Sequence, residues 1–316
     1  MKMLSPSLLT ILTNLFYTAV RSGTIILFPT VGEIFTERSG VMNLGIEGMM
    51  IIGAFIGFIV TYLTKNPYLG FLAGMLAGGL ASLIHAFITI TLQGKQVVSG
   101  LALTIFGLGI TNFYGQKFVN LQLKNGFSKI SIPILSKIPV IGNIFFKQDM
   151  IVYFSYVLAI AMWYILYKTK VGVHLRAVGE NAVAADAMGV DVYATRYFWT
   201  FFGGLLAGAG GAYLTIGYAP FWLDGITAGR GWIAVALVIF AMWDPIIAIF
   251  GAYLFGGIDS LQFLLQASGT TIPSSLLSMQ PYFLTLIVVI ISTLIVRFKH
   301  LGVPRELGLP FSREEK

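Results

Sequence analysis

Apolar residues run along this chain in blocks too long and too uniform for a soluble fold. The stretch MMIIGAFIGFIVTYL from Met49 has no polar face at helical spacing, and LTLIVVIISTLIV from Leu284 does not alternate as a half-buried strand would. Several blocks approach the roughly 20 residues that carry a helix across about 30 Å of hydrocarbon. A closed barrel also satisfies its backbone inside lipid, but it needs alternating segments of about ten residues. The pattern predicts an all-α, polytopic transmembrane helical bundle forming one domain over residues 1–316. Crossings are expected near residues 8–36, 43–64, 67–92, 97–116, 150–167, 197–218, 227–242, 245–265 and 279–297. The first block carries Arg-Ser-Gly at 21–23, which suggests a broken or displaced helix, so the count is about eight to ten.

Punctuation within the blocks supports this division. Pro67, Pro245 and Pro281 stand near helix starts, where a missing N–H costs little. Gly70, Gly74 and Gly78, Gly53 and Gly57, and Gly204 and Gly208 are each spaced by four, which lines small residues along one face and lets neighbouring backbones approach.

Composition agrees: 57% of the residues are hydrophobic and 10% charged, against about 25% charged in a soluble domain. The net charge of +7 reads as loop orientation in a membrane protein, not as a nucleic-acid footprint. No cysteine is present, which excludes disulfides and thiolate metal sites. The apolar run LLTILTNLFYTAV leads into Arg21 without a small-x-small cleavage site and reads as mature chain.

The C-terminal tail and the loop of about residues 170–196 are rich in Lys and Arg and read as cytoplasmic. Counting crossings back from them places the loop of about 117–149 outside, although it carries Lys117, Lys124, Lys129, Lys137 and Lys147. The reading keeps it outside, in conflict with the charge rule.

Catalytic signatures do not assemble. Gly94 and Lys95 in LQGKQ lack the spacing and the following Ser/Thr of a phosphate-binding loop, so no ATP hydrolysis is expected of the chain itself. His85, His174 and His300 are far apart and form no zinc motif, and no Gly-x-Ser-x-Gly elbow occurs. A carboxylate inside lipid is costly, about 2.5–3.5 kcal/mol on insertion scales, and should face protein or water. Glu47 and Asp259 are the candidates for a polar interior, Asp224 for a wet loop, and Asp244 for a cap on the helix opening at Pro245.

Between two crossings, ENAVAADAM predicts a short helix stopped at Gly189. With no core of its own and an acidic centre, it reads as a surface for a protein partner and not as a helix lying on lipid headgroups.

The stretches GEIFTERSGVMNLGIEGMMIIGAF (32–55), LRAVGENAVAADAMGVDV (175–192), GGLLAGAGGAYL (203–214) and LGVPRELGLPFSRE (301–314) resemble the permease subunits of bacterial ABC importers of the ribose/branched-chain amino acid class, nearest its nucleoside, simple-sugar-like branch. The resemblance implies a multi-pass subunit of the bacterial cytoplasmic membrane, without a cofactor of its own. It implies a second homologous permease, an extracytoplasmic solute-binding lipoprotein, and a cytoplasmic ATPase that hydrolyses ATP. The GENAVAADAMGV loop would then be the coupling helix, with Arg176, Glu180, Asn181, Ala185, Asp186 and Gly189 at the ATPase. Asn43, Glu47, Trp222, Asp224 and Asp259 become candidates for the translocation path, with Phe221 and Trp232 as further aromatic walls for a nucleobase. For Glu47 the glycines around it favour a structural role over solute contact. The competing expectation is a self-sufficient secondary transporter or channel in which Glu47 or Asp259 carries protons or sodium.

Overall fold

The computed structural model describes residues 8–299 and 302–313, leaving out the side chains of 291–293 and 295–299. His300 and residues 314–316 of the basic tail lie outside the described residues. Among the described residues, seven helices are long and apolar enough to cross a membrane. They are α1 (Leu8–Arg38), α2 (Ile46–Thr64), α3 (Pro67–Ala86, extended by a π-helical turn to Thr91), α4 (Gln96–Gly115), α6 (Met150–Lys168), α9 (Val192–Tyr213, extended by a π-helical turn to Tyr218) and α11 (Pro245–Ala267). Between them lie α5 (Ile141–Phe145), α7 (Lys170–Glu180), α8 (Ala182–Ala187) and α10 (Arg230–Phe240), followed by α12 (Ser274–Ser278) and α13 (Gln280–Lys299). The bundle is all-α and polytopic. Its only sheet among the described residues pairs β1 (Lys129–Ser131) antiparallel with β2 (Lys147–Asp149).

The first block is not broken at Arg-Ser-Gly: α1 runs continuously through it. Partners explain why. The Arg21 guanidinium lies 3.6 Å from Asp149, 3.4 Å from the Tyr213 hydroxyl, and against the Gly217 carbonyl. Gly23 marks a close approach, since a Cβ on the facing Gly256 of α11 would fall 2.4 Å from Gly23 N. The polar interruption is therefore a packing seam between α1 and α11.

The broken crossing lies elsewhere. Where the pattern predicts a full span over 227–242, α10 has 11 residues, about 16 Å of helix, or half the hydrocarbon thickness. The other half is non-helical chain at 219–229.

The centre is formed by α1, α2, α9, α10 and α11, with Ile25, Phe28, Met50, Leu206 and Phe255 buried. The spaced glycines join α2, α3 and α9. A Cβ on Gly53 would fall 2.5 Å from Gly208 Cα, and one on Gly74 2.4 Å from Gly53 O. Outward faces carry large apolar groups instead, such as Leu72, Leu76 and Leu80 on α3 and Val98, Ile105 and Phe106 on α4. That inversion suits a lipid solvent.

The single helix α6 separates loop 117–149 from loop 169–191, so the two lie at opposite ends of the bundle. The lysine-bearing loop also joins other segments of its end: Asn125 Nδ2 donates to Lys65 O and Gln148 Nε2 to Tyr17 O.

Candidate functional site

The half-length helix α10 begins where water is scarce, so its free N–H groups need acceptors. From Tyr218 the chain continues extended: Asn120 N donates to Trp222 O and Leu123 N to Pro220 O, both at 3.0 Å or less. Trp222 seals this segment, fully buried with its ring 5.0 Å from Phe55 and 6.3 Å from Phe58. Residues Gly225, Ala228 and Gly229 then take positive φ (64°, 47°, 77°) and turn the chain into α10. The acceptors come from α2. Glu47 Oε1 accepts from Thr227 Oγ1 (2.6 Å) and Gly229 N (2.8 Å), and Oε2 accepts from Gly231 N (2.6 Å). A carboxylate against a helix N-terminus is favourable twice, through charge-assisted hydrogen bonds and through the helix dipole. Gly231 permits the contact, because a Cβ there would lie 2.6 Å from Glu47 Cα. At its far end α10 is fixed by Trp243, whose Nε1 donates to Glu37 Oε2 at 2.6 Å.

Beside the start of α10 lies a cavity of about 200 Å³ lined by Arg230, Asp259, Gln262, Ser278, Tyr282 and the apolar Phe255 and Phe263, among others. Arg230 Nη2 reaches both Asp259 oxygens at 3.2–3.3 Å, and Ser22 Oγ donates to Asp259 Oδ2 at 2.5 Å. The two ion-pair side chains keep 12% and 13% of their surface accessible, which is enough to present hydrogen-bonding atoms to the cavity. Tyr282 OH donates to Ala228 O across its mouth. A guanidinium, a carboxylate, an amide and a hydroxyl beside aromatic rings can bind a polar solute that also has a flat or apolar part.

At the other site, α7 and α8 form a hairpin-like projection between α6 and α9. Asn181 ends α7, and its Oδ1 accepts from Ala184 N at 2.8 Å to cap α8. Gly189, with φ 84°, closes α8 in the left-handed conformation that glycine favours. The projection does bury a core, unlike the sequence expectation: Val178, Ala182, Ala185 and Val192 pack with Phe311 from the tail. Its acidic groups face that tail. Arg313 holds Asp186 Oδ1 through Nε (3.0 Å) and Nη2 (2.9 Å), and Arg305 lies 3.7 Å from Glu180. The outward face is apolar instead, with Val183 60% and Met188 85% exposed beside Ala184 and Ala187.

The sequence profile of a family described as "Branched-chain amino acid transport system / permease component" matches residues 14–298. The chain belongs to this family of permeases. Among its relatives, the nucleoside ABC transporter permease protein NupC of Lactococcus lactis subsp. cremoris is 40% identical, aligning 84% of this permease with 87% of that protein. The guanosine ABC transporter permease protein NupQ of Bacillus subtilis is 39% identical over 83% and 86% of the two chains. A Haloferax volcanii protein named "Putative glucose ABC transporter permease protein TsgC13" is 37% identical over 95% and 98%. No solved structure matches at a significant level. The permease is a transport component and a multi-pass protein of the cytoplasmic membrane.

The permease distributes the residues singled out from its sequence unevenly. Of the path candidates, Asp259 lines the cavity, while Glu47 caps α10 and is 4% exposed. Asn43 is fully buried in a turn, its Oδ1 accepting from Gly45 N at 2.9 Å and its own N–H donating to Glu33 Oε1 at 3.0 Å. Trp222 is fully buried and does not line the cavity, and Asp224 is exposed in the loop beyond. Arg230, Gln262 and Tyr282 are the cavity residues that the sequence reading did not select. Arg230 carried a signal, a charge at the head of an apolar span; Gln262 and Tyr282 carried none without the three-dimensional juxtaposition. In the projection, Arg176 lies over the Tyr167 ring at 5.5 Å, Ala185 is buried, and Val183 and Met188 were overlooked. Their signal was the apolar spacing 183/187 and 184/188 on one short helix.

Proposed function

We propose that this permease carries nucleosides inward as the membrane subunit of an ATP-driven importer, with the cavity beside α10 as a station on the path. The observation that carries the reading is that cavity: Arg230, Asp259 and Gln262 are suited to the vicinal hydroxyls of a ribose, and Phe263 to the flat base. The names of the Lactococcus and Bacillus relatives support a nucleoside. The name of the Haloferax relative favours a sugar, whose hydroxyls the same polar groups would bind without a stacking partner.

In this reading a second homologous permease completes the path and an extracytoplasmic binding lipoprotein delivers the solute. A cytoplasmic ATPase takes the exposed face of α8 into a groove and hydrolyses ATP at a site of its own. Closure of the ATPase shifts α7–α8 and tips the bundle between outward-open and inward-open packings. The competing secondary transporter needs an uncommitted carboxylate. Both oxygens of Glu47 are engaged by three donors and Asp259 is paired with Arg230, which supports the ATP-driven reading.

The test is uptake by proteoliposomes holding the assembled importer, with radiolabelled guanosine, uridine and glucose in parallel. Guanosine or uridine is expected to accumulate only with internal ATP, and Asp259→Asn to cut that uptake at least about tenfold, the loss of one charged hydrogen bond of about 1.5 kcal/mol or more. Accumulation of glucose but neither nucleoside sinks the assignment of solute. Uptake driven by a proton gradient without ATP sinks the importer.

A further inference from the structure

The segment Gly302–Arg313 is fastened to several helix ends. Glu306 N donates to Gly179 O at 2.9 Å, tying the tail to the end of α7, and Gly308 N donates to Gly40 O at 3.1 Å, tying it to the turn after α1. Arg196 of α9, 2% exposed, donates from Nε to Ser39 O and from Nη1 to Leu309 O, both at 3.1 Å. Phe311 O accepts from Gln93 Nε2 at 3.2 Å and from Tyr193 OH at 3.3 Å. The Phe311 ring, 6% exposed, lies 5.4 Å from the Tyr193 ring and closes the small core beneath α8. Arg313 then grips Asp186 of α8 in the two-bond geometry already described. The tail is thus bonded in sequence to α7, α1, α9, the α3–α4 turn and α8.

An extended segment joined to several helix ends can pass a displacement between them only while its fastenings hold. Without Phe311 the core under α8 would lack its lid, and without Arg313 the acidic flank of α8 would lose its tether. We propose that the tail is the strap that makes α8 move as one body with α1 and α9, with Phe311 and Arg313 as its fastenings. Arg313 and Phe311 are positioning residues: neither lines the cavity beside α10, and both act by holding α8. The proposal rests on the reading of α8 as the ATPase-docking helix.

The experiment uses the assembled importer in proteoliposomes and reads solute taken up per ATP hydrolysed. Phe311→Ala and Arg313→Ala are each expected to leave the ATPase bound and hydrolysing while uptake per ATP falls several-fold, which a loss of folded complex would not produce. Rescue adds a second reading. The chain contains no cysteine, so Asp186→Cys with Arg313→Cys can be bridged by a short bis-maleimide without side reaction on the chain. Bridging is expected to restore the ratio lost in the unbridged double variant. If Phe311→Ala and Arg313→Ala both transport at the normal ratio, or if the bridge fails to restore it, the strap is overturned. A variant that fails to assemble is replaced by Phe311→Leu or Arg313→Lys, for which a normal ratio is expected; a ratio as low as that of the unbridged cysteine pair counts against the proposal. The parent reading fails separately: Val183→Asp with the ATPase still bound refutes docking at α8 whatever the tail does.

Discussion

Two short helices, α10 with 11 residues and α8 with 6, solve the same problem in opposite surroundings. Each begins with N–H groups that have no partner in the preceding turn. At α8, beside water, a neutral local residue suffices: Asn181, at the junction with α7, turns its own amide oxygen onto Ala184 N. At α10, inside the bundle, the acceptor is a full charge brought from another helix 180 residues away in sequence. Their outward chemistry is inverted as well. α10 carries Arg230 into an apolar interior, while α8 presents Val183 and Met188 to water. The contrast shows what each site is built to tolerate. In low dielectric an unmatched group is expensive, so α10 is over-determined and serves as a fixed rim for the cavity. In water an exposed apolar face is unfavourable until a partner covers it, so α8 is suited to docking.

The sharpest way to break this contrast is Glu47→Ala. It leaves Thr227 Oγ1, Gly229 N and Gly231 N without their acceptor. At about 1 kcal/mol or more for each of the two fully buried donors left unpaired, Thr227 Oγ1 and Gly231 N, the loss is at least about 2 kcal/mol. The detergent-purified permease is expected to melt well below wild type, with Glu47→Gln intermediate because it keeps an acceptor oxygen but no charge. An unchanged melting curve for Glu47→Ala would show that water reaches the start of α10 and that the cap is dispensable.

How much of this was legible beforehand depends on distance along the chain. Seven of the nine expected spans, the all-α class and the glycine seams are local patterns, found among the described residues because lipid forces each helix to close its own backbone bonds. Gly189 was visible as a helix stop because a left-handed glycine is a local signal. The unbroken α1 was not, since the partners of Arg21 lie at Asp149 and Tyr213. Nor was the short α10: residues 227–242 are apolar enough for a whole crossing, and only the bond from Glu47 to Gly231 reveals that the helix begins half-way. The pairing of the acidic groups was not legible either, because Asp186 and Glu180 find arginines in a tail that is remote in sequence.

The second test addresses the outward face of α8. Val183→Asp or Met188→Asp places a charge where an apolar contact is proposed, and co-purification of the ATPase is expected to fall about tenfold, equivalent to about 1.4 kcal/mol of binding. The melting temperature of the permease alone should not move, because both side chains are exposed in the free chain. Loss of stability together with loss of binding would mean that this face packs on the permease itself.

The smallest effect tests the local cap. Asn181→Ala removes the acceptor of a single N–H at the start of a 6-residue helix, and caps of this kind contribute about 0.5–2 kcal/mol. Water can replace the lost bond, so the change should stay local: faster amide exchange at Ala184 and Ala185, with unaltered exchange across α10 and α2. Because α8 is also held by Phe311 and Arg313 from the tail, the helix should fray and not dissolve. If Asn181→Ala instead destabilises the whole bundle as strongly as Glu47→Ala, then surroundings do not set the weight of a cap. The difference between the two helices would then have to come from their packing alone.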